Sequence, residues 1–175
     1  REDHRHRIEH CCYVPPFIQE RLLELKVIDA SANGFLHDLG DAYKANRGEA
    51  QMRWMWPHRT LINRGIPAPA HSDCPVCTPN PWVGIYGLVT RKTSSGDPLY
   101  AGEGITPMEA IRAYTIDGAY SAWEEGVKGS IEPGKLADLI VVDRDPLTIP
   151  HGELKGIQVV ITIIDGKVIY RRTVG

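Results

Sequence analysis

Short apolar strands alternate with helices through the first half of the chain, and this alternation restricts its fold more than any other feature. Strands are predicted at Arg7–His10, residues 26–31 and residues 66–70, with a helix over Pro16–Leu25 after the first of them. Because each crossover must return to the same end of the sheet, the order predicts parallel strands covered by helices. The fold class is therefore α/β, as a barrel or an open sheet.

The segments between and after these strands carry their own signals. Residues 34–40 indicate a polar loop, which leads into a helical stretch that reaches Trp56. Asn80 and Pro81 are typical of the N-cap and first turn of a further helix. Residues 106–109 have the Thr-x-x-Glu pattern of a capping box, in which two side chains satisfy free amides at a helix start.

The tail of the chain changes from helical to strand patterning. Residues 139–143 form an apolar strand, and two more apolar runs, Val159–Ile164 and residues 167–170, follow it. These two runs flank Asp165-Gly166, which is a strong signal for a two-residue hairpin turn. The tail is therefore predicted to be a β module.

Charge and apolar content exclude several partners. The chain has 20 Lys and Arg against 22 Asp and Glu, a net charge of -2, so it shows no basic surface for nucleic acid or an anionic membrane. Its apolar runs are far shorter than a bilayer crossing. Four cysteines are too few for a disulfide-built scaffold, which favours a reducing, cytoplasmic compartment.

Histidines and a carboxylate gather at the predicted ends of two strands. His4, His6 and His10 share parity and would project on one face of a strand, although by spacing alone a polar strand with locally bonded histidines is the simpler interpretation. His71 and Asp73 share parity where the third strand ends, and such positions can face a ligand pocket.

The interval from His10 to Asp73 suggests that both reach the same edge of the sheet. It is 63 residues (73 minus 10), which fits two β-α units of roughly 30 residues each. Without other evidence, a turn or N-cap carboxylate before Pro75 is an equally good interpretation of Asp73.

The cysteines allow a competing metal site. Cys74 and Cys77 have the C-x-x-C spacing of zinc knuckles and redox pairs. Adjacent Cys11 and Cys12, however, would point in opposite directions in a strand, which strains a tetrahedral four-cysteine site. We expect all four to be buried small residues.

Several stretches of the first part of the chain form a recognisable set: HRIEH at residues 6–10, residues 53–61, HSDCPV at residues 71–76 and GIYGLVTR at residues 84–91. The tail carries still more specific stretches, at residues 105–120, 128–150 and 159–172. Together these stretches resemble the barrel and the tail of the amidohydrolase superfamily, in the branch of N-substituted formamide deformylase and the exoenzyme regulatory proteins.

This resemblance implies a fold and a site. Residues 1–127 would be strands six to eight of a TIM-like (β/α)8 barrel, and residues 128–175 the C-terminal half of a small β-sandwich. His10 would end strand six as a metal ligand. Asp73 would end strand eight as the carboxylate that touches the metal, taken as zinc, and accepts a proton from its water. His71 and His6 are candidates for residues that support these ligands.

The resemblance also implies the reaction, which is hydrolysis of a carbon-nitrogen bond in a small amide-like molecule. The family's remaining ligands have no counterpart here, and two ligands do not hold a catalytic zinc, which normally has three from the protein. We therefore expect this chain to be inactive alone, as a fragment lacking an N-terminal portion. The alternative is an inactive remnant or scaffold that pairs with another chain.

The same reasoning predicts the oligomeric state of this chain. Three strands of a barrel leave two unpaired edges, and Val27, Ile28, Ile66 and Ala68 would lie beside water. We expect a homo-oligomer with strand pairing across subunits, unless a longer polypeptide covers these edges. Light scattering of the purified chain in dilute buffer checks this, and a monomer that unfolds cooperatively would contradict it.

Overall fold

The computed structural model describes residues 3–173, and its first sheet is parallel as predicted. The strands are β1 (Arg7–His10), β2 (Ile28–Ala32) and β3 (Ala70–His71), hydrogen-bonded in the order β1-β2-β3. His10 lies beside Ser31 in the register, and Ser31 lies beside Ala70. All three strands therefore end at one edge, called the carboxyl edge below.

Helices connect and follow these strands in a mixed α/β arrangement. The two predicted helix starts are confirmed: the Asn80 side chain accepts a hydrogen bond from the Trp82 amide, and Thr106 and Glu109 form a reciprocal capping box. Within residues 3–173 the helices are α1 (Pro16–Leu25), α2 (Gly34–Asp38), α3 (Gly40–Arg47), α4 (His58–Asn63), α5 (Pro81–Thr90), α6 (Pro107–Tyr114) and α7 (Ile116–Ser121), with 3-10 turns at Glu49–Trp54, Ala101–Glu103 and His151–Gly156. None of these helices is long and apolar enough to cross a membrane.

Two local predictions are wrong. Residues 34–40 are not a loop but contain α2, because Phe35 and Leu36 are buried in the main apolar cluster and hold the segment against the sheet. The second strand begins at Ile28 rather than at residue 26, because Lys26 ends α1 in a left-handed conformation, with φ of 51°.

The third strand is shorter than the predicted range of residues 66–70. Regular pairing occurs only at Ala70–His71. The amides of Asp29 and Ser31 on β2 donate to the carbonyls of Pro67 and Pro69, at 3.0 and 3.1 Å. Proline has no amide hydrogen and cannot donate a hydrogen bond to β2, so only β2 donates hydrogen bonds along this stretch.

The tail forms a second, antiparallel sheet. Its strands are β4 (Leu139–Val142), β5 (Val159–Ile164) and β6 (Lys167–Arg171), in that order. The predicted hairpin is confirmed: Asp165 and Gly166 have φ of 50° and 74°, the positive values that a type I′ turn requires. Every residue of β6 is exposed.

The apolar residues expected beside water are not exposed. Ile28, Ile66 and Ala68 retain only 1%, 3% and 6% of their accessible surface. Ile66 and Ala68 pack with Leu22 and Leu61, and Val27 lies partly buried against the same cluster. Val27, Ile66 and Ala68 therefore pack against side chains of α1 and α4, and their burial does not depend on an opposite wall of strands.

A fully buried arginine joins three segments of the fold. Arg91 ends α5 in a left-handed conformation with φ of 57° and is 0% exposed. Its guanidinium donates to the carbonyls of Leu99, Trp56 and Met55, at 3.0, 3.0 and 2.8 Å. Burial lowers the Arg91 pKa to about 10, which still leaves it charged at neutral pH.

Replacing Arg91 with Met should destabilise the chain strongly. The change leaves the buried carbonyls of Met55 and Leu99 without the guanidinium donors, while the Trp56 carbonyl keeps its bond from the His58 amide, and each unsatisfied group costs about 1–3 kcal/mol. We expect the free energy of unfolding, measured with urea, to fall by about 3 kcal/mol or more. The exposed Arg171→Met on β6 is the control and should change it by less than about 0.5 kcal/mol. Equal effects of the two substitutions would contradict this role.

Candidate functional site

The structure brings His10 and Asp73 together at the carboxyl edge. His10 is the last residue of β1, and Asp73 lies two residues beyond β3. The Nε2 atom of His10 and the Oδ2 atom of Asp73 are 2.9 Å apart. Their side chains keep 46% and 34% of their accessible surface, so a small molecule can reach both. Asp73 also takes part in a turn, as the alternative interpretation of this residue predicted, because its carbonyl accepts a hydrogen bond from the Val76 amide at 2.8 Å.

The backbone is strained on both sides of this contact. His10, Cys11 and Asp73 have φ of 70°, 22° and 55°, in the left-handed backbone region that residues other than glycine rarely adopt. Such conformations cost on the order of 1–3 kcal/mol each and persist only where the surroundings impose them. Their concentration around one histidine and one carboxylate is typical of a functional site.

The other two histidine candidates have different surroundings. The His71 ring lies edge-on to the His10 ring, with centroids 5.5 Å apart, and its Nε2 atom is 3.0 Å from the Ala30 carbonyl oxygen on β2. His71 is thus fixed to the sheet and contacts His10. The His6 ring is exposed and stacks on His4 at 4.5 Å, before β1 begins.

A glycine lets α2 approach the loop that carries Asp73. A Cβ atom on Gly34 would lie 3.1 Å from the Cys77 Cβ atom and 3.2 Å from the Ser72 Cα atom. Contacts this short would require the loop to shift by a few tenths of an ångström. Gly34 therefore contributes to the position of Asp73, and interpreting residues 34–40 as a polar loop missed this.

Polar side chains that sequence analysis missed lie buried along β2. Asp29, Ser31 and Asn33 alternate with alanines and are all 0% exposed. Ser31 donates to Asp29, while Asp29 Oδ2 and Asn33 Oδ1 have no hydrogen-bond partner among the described residues. The polar-Ala alternation in a strand flanked by apolar segments was the available signal, because a buried parallel strand ordinarily consists of apolar residues.

Burial shifts the pKa values of two ionisable side chains near β2, those of Asp29 and His58. Burial raises the Asp29 pKa to about 7, and the pKa is lowered only in part by hydrogen bonds from Ser31 and Cys11. Burial and the nearby Arg91 lower the His58 pKa to about 4, so His58 is neutral at pH 7. The Asn33 amide nitrogen lies 3.4 Å from its Nε2 atom.

The four cysteines are free thiols with different exposures. Cys77 is buried as expected, Cys11 and Cys12 are half-buried, and Cys74 is exposed, so the expectation of burial is wrong for Cys74. Burial raises the pKa of the Cys77 thiol to about 11, which keeps it protonated at neutral pH.

His10 and Asp73 match a metal site in kind and separation but not in number. Imidazole nitrogen and carboxylate oxygen are ordinary zinc ligands, and two ligands of one tetrahedral zinc lie about 3.4 Å apart, close to the 2.9 Å between these atoms. Among residues 3–173, however, no group of three or more His, Cys, Asp or Glu side chains could hold a metal ion. The described residues thus provide two donors and not a complete site.

Comparison with known proteins identifies the class. The amidohydrolase family model matches residues 1–170, nearly the whole chain. This chain therefore belongs to the amidohydrolase family, as the sequence motifs predicted.

Two curated relatives are similar to this chain over different parts of its length. N-substituted formamide deformylase of Arthrobacter pascens is 37% identical over 169 residues, which are 95% of this chain and 31% of that protein. A 5-methylthioadenosine/S-adenosylhomocysteine deaminase of Symbiobacterium thermophilum is 37% identical over 94 residues, which are 48% of this chain and 20% of that one. The chain thus spans less than a third of the length of these relatives.

Solved structures share the fold. A metal-dependent hydrolase from Pyrococcus horikoshii superposes with a TM-score of 0.71 at 26% identity, over 83% of this chain and 30% of its own. One from Pyrococcus furiosus gives 0.68 at 34% identity, over 81% and 29%. The arrangement of α and β elements described above is therefore one found within longer metal-dependent hydrolases.

The buried carboxyl of Asp29 predicts a pH dependence of stability. Its folded pKa of about 7 exceeds the unfolded value of 3.8, so the folded chain binds the extra proton between these values. This contribution to stability is complete below about pH 4 and is lost as pH rises through 7.

Asp29→Asn removes that titration. We expect the variant to gain at least about 1 kcal/mol relative to wild type between pH 4 and pH 7.5, measured by urea unfolding at several pH values. Comparing the two proteins cancels the other groups that titrate in this range. Parallel stability curves would show that Asp29 does not titrate as described.

Proposed function

We propose that the complete protein hydrolyses a carbon-nitrogen bond of a small amide-like molecule, with His10 and Asp73 of this chain in its active site. The observation that carries the proposal is the 2.9 Å contact between these two side chains at the carboxyl edge of a parallel sheet, where both remain accessible. Support comes from the relative named for deformylation of N-substituted formamides. A cytoplasmic location is part of the proposal, supported by the four free thiols.

In this proposal β1, β2 and β3 are strands six to eight of a (β/α)8 barrel, and residues 1–127 are the corresponding part of that domain. Residues 128–175 are half of a β-sandwich, and the other strands belong to the rest of a longer polypeptide. The parallel order β1-β2-β3 supports the first assignment. This chain covers only 31% of the deformylase, which supports a longer complete protein.

His10 and Asp73 would be two ligands of a divalent metal, proposed to be zinc, with the remaining ligands outside this chain. A bound zinc ion acts as a Lewis acid that makes water acidic near neutral pH. Asp73 accepts the proton of the attacking water on its carboxylate and returns it to the leaving nitrogen. His71 packs against the His10 ring and limits its rotation. His6 would act through its carbonyl, which accepts a hydrogen bond from the Ile28 amide of β2 at 2.8 Å and so fixes the chain at the start of β1.

A second candidate function is that of an inactive scaffold that pairs with another chain. It is favoured by one observation: the described residues contain no metal-binding group of three. The exposed β6 strand offers a surface for such pairing. The two candidates differ in whether Asp73 affects turnover in the complete protein.

Asp73→Asn in the complete enzyme tests the proposal. The amide cannot accept a proton from water, so we expect kcat to fall roughly a hundred- to ten-thousand-fold while KM changes little. Turnover is measured by amine release from N-substituted formamides. The matched control is Asp165→Asn, because Asp165 also has a positive φ, 50° against 55° for Asp73, but lies in the hairpin turn.

The control should keep nearly full activity, since Asn is well suited to a type I′ turn. Near wild-type turnover in Asp73→Asn would show that Asp73 is a turn residue without a role in catalysis. Absence of turnover in the unmodified complete protein would instead favour the scaffold.

A further inference from the structure

Asp117, in α7, has a carboxylate without a partner. Between residues 3 and 173, every acidic side chain except those of Asp117 and Asp165 accepts a hydrogen bond or forms an ion pair. Asp165 is exposed in the hairpin turn, where water hydrates it. Asp117 is half-buried, so burial raises its pKa, and the charge of Arg112 opposes this rise. The Asp117 carboxylate thus loses hydration without gaining a partner from the described residues.

This carboxylate lies in the wall of a cavity that is otherwise mostly apolar. The cavity has a volume of about 310 Å³. A cavity of about 150 Å³ is large enough for benzene in another protein, so this one has room for an aromatic ring and a substituent. Besides Asp117, it is lined by side chains of α4, of the chain before β3, of α6 and of α7: Ile62, Ile66, Ala68, Ala113 and Tyr120.

The walls of this cavity are held by contacts outside it. Ile66 retains only 3% of its accessible surface and packs in the apolar cluster under α1 and α4. The Arg5 guanidinium lies over the Tyr120 ring, 3.8 Å from its centroid, and donates to the Tyr120 carbonyl at 2.8 Å. Arg5 also pairs with Asp3 at 2.9 Å and with Glu125 at 2.8 Å. The walls are therefore preformed, and the charge of the neighbouring guanidinium is already paired.

The cavity is separate from the site at the carboxyl edge. Ile66 and Ala68 precede β3, and Arg5, which holds Tyr120, precedes β1, so the cavity lies towards the amino end of the sheet. Asp73 follows the opposite end of β3. The residues that line the cavity include none of those proposed for the active site. A molecule bound in the cavity is therefore not bound at the reacting atoms.

The composition of the walls favours an organic cation over a metal ion. Calcium takes about six to eight oxygen ligands and a structural zinc about four ligands, whereas this cavity offers one carboxylate. No group of three His, Cys, Asp or Glu side chains within residues 3–173 could hold a metal ion. An ammonium group forms a charge-assisted hydrogen bond with a single carboxylate. The aliphatic walls and the Tyr120 ring provide surface for the carbon part of such a ligand.

We propose that this cavity binds a small organic amine in its ammonium form, with the cation on Asp117 and the apolar part against Ile66, Ala113 and Tyr120. The inference goes beyond the proposed function and does not depend on it. Hydrolysis of a substituted amide releases an amine, so the ligand class is also that of one product of the proposed reaction.

Binding of benzylamine and of benzyl alcohol to the 175-residue chain tests the inference. The two probes have similar shapes, but benzylamine is a cation at neutral pH and benzyl alcohol is neutral. We expect benzylamine to bind at least about tenfold more tightly in calorimetric titrations, because a hydrogen bond between charged groups is the stronger one. Nuclear Overhauser contacts between the probe ring and the methyl groups of Ile66 and Ala113 should locate the bound molecule.

Two matched substitutions then test the role of the carboxylate. Asp117→Asn keeps the shape of the side chain and removes its charge, so this variant should bind the two probes equally. Asp165→Asn removes the other unpartnered carboxylate, in an exposed turn, and should keep the preference for benzylamine. Circular dichroism checks that each variant is folded, which we expect because the Asp117 side chain makes no hydrogen bond that the change would break.

The outcomes separate this inference from the proposed function. Equal binding of the two probes, no binding of benzylamine at millimolar concentration, or a preference that survives Asp117→Asn would each overturn the inference. Loss of the preference in both variants would also overturn it, because a general effect of charge would then explain the binding. Loss in Asp117→Asn alone supports it. None of these measurements involves turnover, so a failure of the proposed function would leave the amine site unaffected.

Discussion

Parallel pairing of β1, β2 and β3 is the constraint on which the rest of this structure depends. Because the three strands run in the same direction, the residues that follow them meet at one edge, although 63 residues separate His10 from Asp73 (73 minus 10). Hydrogen bonds of β2 to both neighbours fix the lateral separation of these two side chains. A single-residue slip of either outer strand would turn its terminal side chain to the opposite face.

Buried polar groups then hold the connections between strands in place. Arg91 uses its donors on carbonyls of residues 55, 56 and 99, so one side chain joins the end of the segment between β2 and α4 to α5 and to the connector that follows. The cost of burying this charge is offset by three hydrogen bonds, and the neutral state of His58 avoids a second buried cation beside it.

The sequence was sufficient to predict what depends on local patterning. The parallel order, the capping box at Thr106 and the hairpin at Asp165 follow from apolar period and turn chemistry, and the interval between His10 and Asp73 placed both at one edge. Features that depend on tertiary contact were not predictable in this way. Helix α2 forms because Phe35 and Leu36 are buried, and the polar row that begins at Asp29 has meaning only once its burial is known.

Prolines in the chain before β3 have a dynamic consequence. Between residues 66 and 70 the β2 strand donates hydrogen bonds to Pro67 and Pro69 and receives none back from them. Segments held by fewer hydrogen bonds open at lower free energy than their neighbours. The stretch that leads to Asp73 is therefore held to the sheet by bonds that only β2 donates, and packing of Ile66 and Ala68 supplies the rest of its attachment. Hydrogen exchange at the amides of Asp29 and Ser31 would report directly how often this attachment opens and releases the carboxylate of the site.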